Sequence, residues 1–152
     1  MISVYVPATS ANCCVGFDCL GLAVDWWAHF TFEESDTLVV EGCPDAFKGE
    51  NNLVVQSFYT TCDYLHVAYP TFKLAIHTDI PFARGLGSSS TCVVAGILAC
   101  NAWFKKGMDK MEILKIATQI EGHPDNVAPA IFGQATACFI EKEDVKMSLV
   151  PC

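Results

Sequence analysis

The chain has 152 residues, enough for one domain of ordinary size. At 52% hydrophobic and 17% charged it can bury a core, which excludes a disordered or collagen-like chain. Nine lysines and arginines against 17 acids give a net charge of -8, which excludes a general affinity for nucleic acid or anionic lipid.

Ile2 to Val6 predicts a short strand that stops at Pro7, since proline cannot donate to a ladder. A polar, turn-rich segment follows from Ala8 to Cys19. Leu20 to Phe32, rich in β-formers, predicts a second strand, and Thr37 to Glu41 a third. These three are expected as antiparallel neighbours. Asn52 to Tyr69 carries Leu53, Phe58, Cys62 and Leu65 near helical spacing and predicts a helix ended by Pro70. Thr71 to Thr78 alternates as a strand. Gly85-Leu86-Gly87 leads into a helix from about Ser88 to Phe104, and Asp109 caps another through Gln119. Asn126 to Phe132 predicts a short helix, and Gln134 to Ile140 and Val145 to Val150 two closing strands. Strands followed by clustered helices, without a repeat or linker, indicate a single α+β domain.

The run from Gly85 to Phe104 carries no charge and could be mistaken for a membrane span. Its opening, Gly-Leu-Gly-Ser-Ser-Ser-Thr, is too polar for that, so a helix buried in the protein is expected. Nine cysteines contain no C-x-x-C pair, which argues against structural zinc. The opening MISVYVPATS has no basic stretch leading into an apolar one, so no secretory signal is read. A reduced, cytoplasmic protein is expected.

Three segments hold residues that could do chemistry. In Pro81-Phe82-Ala83-Arg84-Gly85-Leu86-Gly87-Ser88-Ser89-Ser90-Thr91, glycines let backbone approach a bulky anion. The helix that follows aims free N–H groups at the same place. A capped turn before a buried helix would use the same residues. The loop is no Walker A motif, lacking G-K-[ST], and Ser90 stands where a dinucleotide fingerprint needs its third glycine. Glu121-Gly122-His123-Pro124-Asp125-Asn126 gathers four polar side chains between helices, and equally reads as a helix stop and cap. Pro7-Ala8-Thr9-Ser10-Ala11-Asn12, continuing to Gly16-Phe17-Asp18, equally reads as an ordinary loop.

Together, Pro-Ala-Thr-Ser-Ala-Asn…Gly-Phe-Asp, Ala-Arg-Gly-Leu-Gly-Ser-Ser and Glu-Gly-His-Pro-Asp-Asn-Val-Ala-Pro-Ala resemble the homoserine kinases of the GHMP small-molecule kinase superfamily. The likeness runs from Val4 to about Gln134. It implies the N-terminal GHMP kinase domain over residues 1–152, a mixed or antiparallel sheet packed against helices like ribosomal protein S5 domain 2. It implies phosphoryl transfer from ATP to L-homoserine in threonine biosynthesis, with Mg²⁺ as cofactor. Pro81, Phe82, Ala83, Arg84, Gly85, Leu86, Gly87, Ser88, Ser89, Ser90 and Thr91 would wrap the ATP phosphates, and Asn52 would sit at the adenine. Ser89 and Glu121 would hold Mg²⁺. Asn12, Asp18, His123, Asp125 and Asn126 would bind homoserine. Asp125, Asn126 and Arg84 would be catalytic, with Asp125 either a base for the hydroxyl or its orienter.

The pattern departs from that family in places. Cysteine stands at position 14 where glycine is usual, Ser90 replaces a common alanine, and no lysine precedes Lys48. Homoserine kinases are about twice as long, and their second domain carries the basic residue for the homoserine carboxylate. The sequence is therefore expected to be an N-terminal half lacking its C-terminal domain, nearly inactive alone. An apolar face left uncovered would invite self-association or a homodimer. Another GHMP kinase, or a silent nucleotide-binding domain, are the competing readings; no nucleic acid or membrane partner is expected.

Overall fold

The computed structural model describes residues 1–13 and 16–151. The first third of the chain builds a long antiparallel hairpin from β1 (Ile2–Asn12) and β2 (Gly16–Glu34). Val4, Val6 and Ala8 are buried along β1, while Ser3 and Tyr5 are exposed. The expected stop at Pro7 and the turn-rich segment from Ala8 to Cys19 are thus corrected: strand continues past Pro7 and resumes at Gly16. Proline is tolerated because β2 is the one strand that β1 pairs with among the described residues, and because the ladder slips there. Pro7 opposes Trp27 but Ala8 opposes Val24, which leaves Asp25 and Trp26 as a bulge.

The other edge of β2 serves two strands. β4 (Phe72–His77) pairs with its C-terminal end, and β5 (Ala135–Glu141) with Leu20 to Leu22 near its start. β6 (Asp144–Val150) closes that side as a hairpin with β5. β3 is short, Val39–Glu41, and runs parallel to β4. That corrects the expected antiparallel neighbour. The chain returns from β3 to β4 through a helix, and such a crossover brings the strands together in the same direction.

Helices cover one face of this mixed sheet. α1 (Leu53–Leu65) stops before the expected Tyr69 because His66 turns left-handed, with φ 54°. α2 (Ser88–Trp103) is buried on nearly every turn from Ser90 to Cys100, packed among α1, β1, α3 (Lys110–Glu121) and α4 (Val127–Phe132). Its burial explains its lack of charge, and no helix among the described residues is long and apolar enough to cross a membrane. α3 opens on a capping box in which Asp109 accepts from the Glu112 N–H at 2.9 Å and Glu112 accepts from the Asp109 N–H at 3.0 Å. Phe32, Phe58 and Phe72 join α1 to the sheet, with Phe58 and Phe72 4.7 Å apart between ring centres. On the opposite sheet face Tyr5, His29 and His77 stack across three strands, 4.2 and 5.6 Å apart.

Candidate functional site

The loop between β4 and α2 is shaped by left-handed residues, Ala83, Gly85 and Gly87. Gly87 is the residue before α2, and no side chain caps the helix there. Its first N–H groups are thus left for another acceptor, and the helix dipole favours an anion. The loop is tied to β1, because the Thr9 N–H donates to the Leu86 carbonyl at 3.1 Å. Glycine is required at 87 on two counts. Its φ is +63°, and a Cβ there would lie 2.0 Å from Thr9 Oγ1.

The third segment arrives at the same place from the end of α3. Ser89 Oγ donates to Glu121 Oε1 at 2.8 Å. Asp125 is 2% exposed, and its Oδ1 meets His123 Nδ1 at 2.6 Å and accepts from the Asn126 N–H at 3.0 Å. His123 is half-exposed, so this pair joins a buried carboxylate to an imidazole that reaches solvent. Thr9 Oγ1 donates to Asn126 Oδ1 at 2.8 Å. Gly21 of β2 lets the Asp125 backbone settle on the sheet, since a Cβ there would lie 1.8 Å from the Asp125 carbonyl oxygen.

Beside the loop is a cavity of about 220 Å³, walled by Phe47, Asn52, Ile80, Phe82, Ser89 and Cys92, among others. Its lining is mostly apolar and includes Ser88 and Ser89 at the start of α2, a composition suited to a flat ring attached to an anion. Asn52 has a structural duty here as well. Its Oδ1 accepts from the Val54 N–H at 2.9 Å, capping α1, and its Nδ2 donates to the Phe47 carbonyl at 3.1 Å. Burial pushes the Cys92 thiol up to about 11, which keeps it protonated at neutral pH.

The predicted residues therefore fall into groups. Gly87, Ser88, Ser89, Glu121, His123, Asp125 and Asn126 converge. Phe82, Ala83, Arg84 and Gly85 form the exposed crest of the loop, Pro81 is half-buried, and Leu86 packs on the core. Ser90 is buried, and the Thr91 hydroxyl donates to the Ser88 carbonyl at 2.8 Å, so both brace the helix start. Asn12 and Asp18 sit at the tip of the β1–β2 hairpin, where Asn12 Oδ1 accepts from the Asp18 N–H at 2.9 Å. Both have positive φ, 70° and 54°. Among the described residues, no hydrogen bond joins them to Asp125 or Asn126. Position 14, where cysteine replaces the usual glycine, lies outside the described residues.

Sequence reasoning missed Thr9, Gly21, Phe47 and Ile80. Thr9 lay within a segment already singled out, three residues before Asn12, so its place in that segment was a usable signal. Phe47, in a short 3-10 turn over Asp45–Phe47, carries none.

The model of the GHMP kinases N terminal domain matches residues 52–134, just over half of the chain. The chain belongs to the GHMP kinases. Among curated relatives of this chain is a protein of Clostridium botulinum (strain Okra / Type B1) named homoserine kinase. It is 45% identical over 151 residues, covering 99% of this chain and 51% of that protein. The chain thus spans about half the length of the curated relatives it matches. A Listeria monocytogenes structure, provisionally described as a homoserine kinase, superposes with a TM-score of 0.87 at 35% identity. The match covers 99% of this chain and 55% of that one. A homoserine kinase from Cytophaga hutchinsonii gives 0.83 at 29% identity, over 99% and 51% of the two chains.

Proposed function

We propose that the protein transfers the γ-phosphoryl group of ATP to the hydroxyl of L-homoserine, giving O-phospho-L-homoserine. The observation that carries this reading is the meeting of three distant segments: Thr9 hydrogen-bonds to Asn126, and Gly87 lies so close that a Cβ there would fall 2.0 Å from Thr9 Oγ1 and 3.3 Å from Asn126 Oδ1. Relatives named homoserine kinase at 45% identity support the acceptor.

In this reading the loop from Pro81 to Thr91 and the first turn of α2 receive the phosphates, while the apolar cavity receives the base. Ser89 and Glu121 offer two oxygens, one of them a carboxylate. No group of three or more His, Cys, Asp or Glu suited to a metal occurs among the described residues. That donor set fits Mg²⁺, which takes its remaining oxygens from phosphate and water. Bound there, Mg²⁺ supplies charge neutralisation for the phosphate oxygens.

Arg84 offers a planar, permanent cation on the crest of the same loop. Asp125 holds His123 and the Asn126 backbone by hydrogen bonds, which suits orientation better than proton abstraction. A loose transfer transition state depends mainly on alignment and electrostatics, so an orienting carboxylate is sufficient. Asn12 and Asp18, at the hairpin tip, take the amino-acid end of homoserine, Asp18 facing its ammonium.

We read the chain as one domain of a two-domain kinase whose other part clamps the substrate carboxylate. Exposed apolar side chains such as Tyr5 and Trp27 support self-association when that part is missing. A cytoplasmic setting goes with ATP and with seven free thiols among the described residues. The test is a substrate panel with the intact protein: L-homoserine should be phosphorylated in preference to mevalonate or a sugar. Preference for either rival would overturn the reading.

A further inference from the structure

We infer that Thr9 is a positioning residue for the transfer, its hydroxyl holding the Asn126 side chain so that the amide N–H groups are offered to the reacting oxygens. This rests on the homoserine-phosphorylating reading above. Thr9 is fully buried in β1, and a valine would fill the same shape and suit a strand as well. Its hydroxyl therefore has a polar task, and the task is visible: Oγ1 donates to Asn126 Oδ1 at 2.8 Å.

Asn126 supplies an independent observation. It is the N-cap of α4, where asparagine ordinarily turns its oxygen onto the helix N–H groups. Here it makes no such side-chain cap bond. Its oxygen is turned back to Thr9 instead, and its own backbone N–H is taken by Asp125. With Oδ1 held, the two N–H donors of the amide remain for a ligand. Gly87 completes the arrangement, because only the missing Cβ leaves room for Thr9 Oγ1, and Asn126 Oδ1 would lie 3.3 Å from such an atom. One hydroxyl thus links the phosphate loop to the acceptor side of the site.

The test uses the intact protein with Thr9→Val and Thr9→Ser. Thr9→Val should lower kcat by about tenfold or more and leave the KM for MgATP within about twofold, because alignment rather than nucleotide binding is lost. Thr9→Ser keeps the donor and should stay within about threefold of the unsubstituted rate. In an Asn126→Ala background, Thr9→Val should cost nothing further, since the coupled partner is gone. If Thr9→Val fails to fold, Thr9→Ala removes the same hydroxyl and is read in the same way. An unchanged kcat in Thr9→Val, an equal loss in Thr9→Ser, or additive losses with Asn126→Ala would each overturn the inference. Absence of homoserine phosphorylation by the unsubstituted protein would instead overturn the underlying reading, and this inference with it.

Discussion

Ser89 and Glu121 stand 32 residues apart in sequence and meet through a 2.8 Å hydrogen bond between the start of α2 and the end of α3. A serine hydroxyl and a carboxylate joined in this way make an oxygen pair at the foot of the loop proposed to receive the phosphates. Glu121→Gln keeps the shape and removes the charge. It should raise the Mg²⁺ concentration needed for half-maximal rate by about tenfold or more, the scale seen when groups supporting a metal are altered. The midpoint of unfolding should change little, because Glu121 is only partly buried. Rates titrated against Mg²⁺ for both proteins check this, and superimposable curves would refute the pairing.

Gly87→Ala should abolish MgATP binding. The added Cβ would overlap Thr9 Oγ1, and the left-handed backbone costs a side-chain-bearing residue about 1 kcal/mol or more. Thr9→Ala in the same chain removes the overlapping atom and should restore part of the binding. Calorimetric titration of the single and double variants checks both steps. A single variant that binds MgATP normally would show that the loop tolerates the change.

The 152-residue chain alone should bind MgATP weakly and release little ADP in response to homoserine. Arg84 is its single arginine and lies on the loop proposed to receive the phosphates, so in the proposed reading none is left for a homoserine carboxylate. Lysine lacks the planar fork for that role. Isothermal titration and an ADP-release assay on this chain test the claim. Homoserine-dependent turnover at the rate of a full-length relative would contradict it.

Stability should fall at alkaline pH. Burial pushes the thiols of Cys92 and Cys138 from the ordinary 9.0 to about 11. The unfolded chain ionises these groups first. Their contribution is therefore complete below pH 9 and is lost as pH rises through about 11. Denaturant midpoints measured across that range should decline, and Cys92→Ala with Cys138→Ala should flatten the decline. An equal slope in both proteins would assign the effect elsewhere.

Much of the helical layer was legible, because capping and periodicity are local. Asp109 as a cap announced α3, and the uncharged run after Gly87 announced a buried α2. The hairpin was less legible. Pro7 signals a strand end, yet the bulge at Asp25 and Trp26 and the absence, among the described residues, of a second strand beside β1 let the strand pass through it. The parallel pairing of β3 depends on the path of α1, which no property of Val39 to Glu41 encodes. At the site, the loop and the Glu121–Asn126 cluster were visible as residue types. The contact of Thr9 with Asn126 was not, since it spans 117 positions and exists only once β1 and α4 pack.

The central claim is tested most directly by phosphorus NMR of the intact protein with MgATP and L-homoserine, following ADP and the phosphorylated amino acid together. The two products should appear in equal amounts, only when homoserine is present, and in far smaller amounts when Asn126→Ala replaces the unsubstituted protein. ADP released at the same rate without homoserine, or no phosphorus resonance from O-phospho-L-homoserine, would contradict the account.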